Sequence, residues 1–240
     1  MSPHTSADTA DARTSRPDRP RLGVTSLSQY IRTNNCERFL RFQVRPDEQK
    51  AMERRWDVTV QPLTPLLREE GLAFEKRVTS ALAAQGETVV EIPEQSDAAV
   101  TVGWLRDVRE PVVLLQPPLA GVLGRYAYNG RADVLRLWRD GDGLHAYIAD
   151  IKASRKERSE HRIQVAAYAL LLRQMADAAG LTFASIGGGV LHIQPDGSLP
   201  KLDPQTGFDL DAYETSLRQL AIEDDCTLNQ VADMSLADVP

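Results

Sequence analysis

Residues 129 to 154 read NGRADVLRLWRDGDGLHAYIADIKAS, and this run constrains the fold more than any other part of the chain. Two apolar-rich segments flank Gly141-Asp142, a pair suited to a tight hairpin loop. A two-residue loop there pairs Asp140 with Gly143, and the same register sets Asp133 opposite Asp150. Opposed residues on antiparallel neighbours share a face, with Cβ atoms about 5 Å apart. Lys152, two positions on, shares that face because side chains alternate along a strand. Two like charges placed opposite each other repel. If both stay ionised in a partly buried place, a divalent cation such as Mg²⁺ offsets the repulsion, because hard cations take carboxylate and carbonyl oxygens. A lysine beside them is suited to activate a water or to stabilise charge on a phosphate. Solvated aspartates at strand ends account for the same letters if each is taken alone.

The flanking segments supply the rest of a domain. Residues 65 to 85 have helical apolar spacing at Leu67, Phe74, Val78 and Leu82, with Pro65 at the start and Gly86 at the stop. Glu75 borders that stripe. A glutamate turned inward needs a partner, either a metal or Lys152, and one turned outward pairs at the surface. Residues 87 to 92 alternate like a strand. Residues 121 to 128 form another, with Asn129-Gly130 as its hairpin turn, and residues 131 to 139 and 143 to 152 continue the meander. A long helix is expected over 159 to 179, a buried strand over 186 to 194 and an amphipathic helix over 208 to 223. The order helix, strands, helix, strand, helix implies an α/β or mixed α+β fold with a central mixed sheet flanked by helices.

The ends look different. Residues 1 to 22 are polar and lack periodicity, so a mobile tail is expected there. Residues 26 to 44 suggest short helices broken at Asn34-Asn35, residues 45 to 62 are ambiguous, and 226 to 240 read as an acidic tail or linker. The expected domain is 23 to 225.

His161, Gln164 and Tyr168 fall on one helical face. Just before them, Arg155, Lys156 and Arg158, with Arg162, form the most basic cluster of a chain whose formal net charge is -6. That charge argues against a protein coated in positive charge, but a local basic groove still suits a phosphate backbone. With 42% hydrophobic residues, the 240 positions suffice for a packed core. Two cysteines, Cys36 and Cys226, make no disulfide framework. No signal core and no apolar run of about 18 residues is present, so a cytoplasmic protein with no membrane partner is expected.

In order along the chain stand GLAFEKRV with Glu75, GRAD with Asp133, ADIK with Asp150 and Lys152, and QVAAY with Gln164 and Tyr168. Each motif alone is common, but the ordered set is not. It resembles the PD-(D/E)XK nucleases, and within them the RecB-like branch that includes CRISPR-associated adaptation nucleases, over roughly residues 66 to 195. The resemblance implies a restriction-endonuclease-like core after a helical N-terminal segment. It implies Mg²⁺ or Mn²⁺ held by Asp133, Asp150, the Ile151 carbonyl and Glu75, with Lys152 serving the attacking water. It implies DNA, often single strands or ends, as substrate, contacted by Arg155, Lys156, Arg158 and His161, with Gln164 and Tyr168 positioning the DNA or bracing the site. DNA repair, recombination or antiviral defence, with a helicase or similar subunit as partner, would be the setting. Iron–sulfur members of the branch use four cysteines. With only Cys36 and Cys226 here, a [4Fe-4S] cluster is not expected.

Two other readings stay open. One is a non-catalytic DNA-binding or scaffold module of a helicase–nuclease assembly, which would not need all the polar positions filled. The other is an unrelated metal-dependent hydrolase of small phosphoesters, which a groove wide enough for a strand would disfavour.

Overall fold

A computed structural model of the chain describes residues 19–58 and 65–239. The tail expected at the N-terminus falls mostly outside the described residues. Its last part, Arg21–Gly23, is a short strand, β1. Helices α1 (Val24–Arg32), α2 (Glu37–Val44) and α3 (Pro46–Trp56) follow. Asn34 and Asn35 take left-handed backbone, with φ of 56° and 57°. Asparagine tolerates that region better than most residues, so the helices break where expected. Helix α4 (Pro65–Ala84) buries Phe74, Val78 and Leu82, four residues apart, and the chain turns at Gly86 with φ of 91°.

The strands that follow are β2 (Val89–Glu91), β3 (Val112–Leu115), β4 (Pro118–Leu123), β5 (Tyr126–Arg131), β6 (Val134–Asp140), β7 (Gly143–Lys152) and β8 (Phe183–His192). Helix α5 (Ala98–Asp107) lies between β2 and β3, and α6 (Ser159–Ala178) between β7 and β8. The last elements are α7 (Leu210–Leu217), a π-helical turn over Arg218–Ile222 and α8 (Thr227–Asp233).

Five strands form a mixed sheet in the order β2-β3-β6-β7-β8, and three form a smaller sheet, β1-β5-β4. Strand β7 pairs antiparallel with β6 and parallel with β8. Both of its faces are covered, which explains its nearly unbroken apolar run. On one face Val113, Val134, Ala149 and Ile151 pack under Phe74, Val78 and Leu82 of α4. On the other, Leu114, Leu135, Leu137, Ala146 and Ile148 meet α6, whose residues 163 to 169 are all buried. The molecule is therefore a mixed α/β domain, with its main sheet held between α4 and α6.

The two sheets share one bent ladder. Strands β3 and β6 pair up to Leu115 and Val134, while β4 and β5 pair from Pro118 and Arg131. Between them Gln116 N donates to the Asp133 carbonyl and Ala132 N to the Pro117 carbonyl. Gln116 reaches this geometry with a φ of 53°. At that corner both chains leave one sheet for the other.

Several expectations need correction. Asn129-Gly130 is not a turn but lies within β5; the hairpin turns at Gly124-Arg125, where Gly124 has φ of 56°. Helix α5 and strand β3 were not foreseen. The α5 run AAVTVGWLRD is rich in β-branched residues and glycine, which disfavour helix, and it is started by Asp97 accepting from Ala99 N. The C-terminal stretch is not a tail. Cys226, Leu228, Val231, Ala232 and Val239 are buried, and α8 packs on α2.

Candidate active site

The hairpin register is the expected one. Asp140 pairs with Gly143 and Val134 with Ala149. Asp133 stands one residue before β6, where the ladder would next pair it with Asp150. Its carboxylate instead turns into the sheet edge, and Oδ2 accepts from the Ile151 main-chain N–H at 2.7 Å. Asp150 lies on the α6 face of β7 and is 1% exposed.

Two side chains contact the Asp150 carboxylate, and a third holds one of them. Lys152 Nζ lies 2.8 Å from Oδ1 and 2.7 Å from Oδ2. Only the Oδ1 approach has hydrogen-bond geometry, so buried Oδ2 makes no hydrogen bond. Gln164 Nε2 donates to Oδ1 at 3.1 Å, and Ser28 Oγ donates to Gln164 Oε1 at 3.1 Å. The α1 serine thus fixes which end of the Gln164 amide faces Asp150. Burial, then the Asp133 charge, raises the Asp150 pKa, and Lys152 opposes the rise. Burial works against the Lys152 cation, but Asp150, Asp133 and Glu75 outweigh it and raise its pKa.

Glu75 arrives from α4, on the opposite face, and is half-buried. Gln116 joins it to the site: its Nε2 donates to Glu75 Oε1 at 2.7 Å and to Asp133 Oδ1 at 3.2 Å. Burial and the Asp133 charge raise the Glu75 pKa against the pull of Gln116 and Lys152. Nothing in the sequence pattern pointed to Gln116 or Ser28. Gln116 is one polar letter between a strand and two prolines, and Ser28 is a small residue in a helix.

Gln164 and Tyr168 behave as braces. They are 7% and 2% exposed, and the Tyr168 hydroxyl donates to the Arg131 carbonyl at 2.9 Å. This burial suits bracing of the site, one of the two roles that the resemblance implies for them. The Tyr168 ring lies against Gly130, where a Cβ would come within 2.8 Å of Cε1. The glycine and tyrosine motifs are therefore two halves of one contact that holds β5 just ahead of Asp133. Arg155, Lys156 and Arg158 are exposed on the connection from β7 to α6. Half-buried His161 feels Lys152, and burial first, then that cation, lowers its pKa. Arg162 is turned away to Glu157 and the Tyr213 hydroxyl. Cys36 is exposed before α2 and Cys226 is buried before α8.

Among the described residues, no three Asp, Glu, His or Cys side chains are already gathered as a ligand set. The corner offers the Asp133 and Asp150 carboxylates, the Ile151 carbonyl, and Glu75 behind the Gln116 amide. All are hard oxygen donors, and the Lys152 ammonium 2.7 Å from Asp150 Oδ2 is the cation that now faces them. That chemistry fits Mg²⁺ or Mn²⁺ and not a thiolate-preferring metal.

No curated protein matches the chain. Among solved structures, the crystal structure of SSO0001 is similar at 16% identity, over 83% of this chain and 74% of that one, with a TM-score of 0.34. The model of the PD-(D/E)XK nuclease superfamily matches residues 27–233. The match runs from α1 to α8 and takes in every carboxylate at the corner, and the mixed five-strand sheet agrees with a restriction-endonuclease-like core. The chain belongs to the PD-(D/E)XK nuclease superfamily.

Proposed function

We propose that this protein is a divalent-metal-dependent deoxyribonuclease of the RecB-like branch, acting on single-stranded DNA or DNA ends in repair, recombination or antiviral defence. The observation that carries the reading is the ion pair of buried Asp150 with half-buried Lys152, beside Asp133. Burying one carboxylate, with a second and a lysine half-buried against it, is costly unless the site uses them. The motif order GRAD, ADIK, QVAAY supports the RecB-like assignment, and the exposed Arg155, Lys156 and Arg158 beside the corner support a polyanionic substrate.

Asp133, Asp150 and the Ile151 carbonyl would hold Mg²⁺ or Mn²⁺, with Glu75 joining directly or through water. Such an ion polarises a scissile phosphate and lowers the pKa of a water. Lys152 Nζ, anchored on Asp150, orients the attacking water and stabilises charge developing on phosphate oxygens. Gln164 and Ser28 keep the Asp150 carboxylate from rotating, and Tyr168 keeps the Asp133 corner in place. Arg155, Lys156, Arg158 and His161 line the approach for the backbone.

The test is cleavage of end-labelled single- and double-stranded DNA with Mg²⁺, Mn²⁺ or EDTA. Cleavage should need the metal and fall at least about a hundredfold in Lys152→Ala. No metal-dependent cleavage, with equal weak DNA binding by both proteins, would overturn the reading in favour of a non-catalytic module.

A further inference from the structure

A water that attacks a phosphate must shed a proton, and few groups at the corner can take it. Lys152 Nζ faces both oxygens of Asp150, at 2.8 and 2.7 Å, as an ammonium, which has no lone pair to offer. Asp133 already accepts from Ile151 N and Gln116, Asp150 from Lys152 and Gln164, and Glu75 from Gln116. These carboxylates are also the oxygens that a divalent cation would take. His161, by contrast, is uncommitted.

Its place follows from the crossover. Strands β7 and β8 are parallel, so α6, which joins them, runs back against both. Gln164 Nε2 reaches Asp150. Three residues earlier on the helix, about 4.5 Å toward its start, His161 occupies the same face. Two residues on along β7, about 6.6 Å beyond Asp150, Lys152 shares the face of that carboxylate. The first turn of α6 therefore carries the imidazole to the Lys152 end of the strand. The lysine charge is felt there: burial first, then Lys152, lowers the His161 pKa, Glu160 and Glu157 oppose the fall, and Arg158 assists it.

Histidines with a structural task in this fold are held. His145 is fixed between Ser185 and Asp140, and His192 lies on the Ile193 carbonyl. The His161 ring has no hydrogen-bond partner among the described residues; its Nδ1 is buried, so a water meets the ring at Nε2. A buried polar group left without a partner asks for an explanation, and a proton-transfer role is one. Resting on the nuclease reading, we propose that His161 is the general base of the cleavage, taking the proton of the attacking water at Nε2. The water oxygen bonds to phosphorus as that proton leaves. The ester P–O bond breaks, its electron pair stays on the leaving oxygen, and solvent supplies the proton which that oxygen takes. The imidazolium then returns its proton to solvent, a step that the Lys152 cation favours.

The test is single-turnover cleavage by the full chain, with Mg²⁺, of the DNA that the parent cuts. His161→Ala should slow it about a hundredfold, the lower end for general acid–base catalysis. Its affinity for the same DNA in EDTA and its thermal melt should match the parent. His161→Gln, closer in size, should show the same loss. Added imidazole should restore the alanine variant, a more basic methylimidazole should restore it further, and a less basic haloimidazole should restore it least. A parent that cuts, with His161→Ala cutting equally fast, would fail this inference alone. So would a loss carried by DNA affinity, which would make the ring a phosphate contact, and a loss that no imidazole restores, which would make it scaffold. Rescue that weakens as basicity rises would make His161 an acid and overturn the assignment. A parent that cuts nothing fails the nuclease reading itself, which is a separate result.

Discussion

Among the described residues, Asp150 and Glu75 are the two carboxyls that folding pushes toward the protonated state, both by burial and by the Asp133 charge. A carboxyl with a raised folded pKa contributes stability that is full below its unfolded value, about 4, and is lost as pH rises through the folded one. Glu48, Asp140 and Asp233 have lowered values and run the other way, so the readable quantity is a difference between parent and variant. In EDTA, Asp150→Asn should gain in melting temperature on the parent as the buffer is raised from about pH 5 to about pH 8, and adding Mg²⁺ should restore the parent only. The same variant should lose cleavage about a thousandfold. A flat difference across the range would show that Asp150 is stabilised as an anion without metal. Gln116 poses a different question, since it accepts a left-handed backbone that costs about 1 kcal/mol or more for most residues. Gln116→Asn keeps a side chain tolerant of that backbone but is too short to span Glu75 and Asp133. We expect it to fold normally and to bind Mn²⁺ about tenfold more weakly by calorimetry, the usual scale for a group that orients ligands. Unchanged affinity would reduce the bridge to packing.

At the scale of elements, the contact between α6 and β5 sets the position of Asp133. Gly130→Ala would drive a methyl into the Tyr168 ring and cost about 1–3 kcal/mol. Tyr168→Phe would forfeit the bond to the Arg131 carbonyl, worth about 1 kcal/mol. Because both act through one contact, urea unfolding of the double variant should show less than the sum of the two losses; strict additivity would mean they are independent. This contact also shows where sequence reading succeeded and where it stopped. The β6–β7 hairpin was legible because Gly141-Asp142 has one reasonable use, and its register carried Asp133, Asp150 and Lys152 to one place. Asn129-Gly130 has the same turn chemistry, but here the glycine serves a close approach that depends on a residue 38 positions away in the chain, Tyr168. Local letters do not encode that choice. Glu75 was legible from the stripe it borders. Gln116 and Ser28 were not, because each matters through a three-dimensional neighbour and neither belongs to a period.

Across the whole molecule, α2 is joined to residues 231 to 239. Arg41, on α2, donates to the carbonyls of Val231, Ala232 and Met234 and pairs with Glu48, while Arg38 donates to the Val239 carbonyl. Its guanidinium is 7% exposed, so without those carbonyls a buried cation is left short of acceptors. Arg41→Met should therefore lower stability by about 2–4 kcal/mol in urea unfolding and loosen α1. Since α1 carries Ser28, cleavage should fall even where most molecules remain folded; full activity in the variant would uncouple the clamp from the corner. The clamp also sets a schedule for synthesis. Arg41 and Val231 are 190 residues apart, and at about 5–20 residues per second a ribosome needs roughly 10–40 s to supply the second after the first. Throughout that interval the amino-terminal helices wait with their binding surface open, so a nascent chain that ends just before Val231 holds every corner residue without the clamp that seats α2.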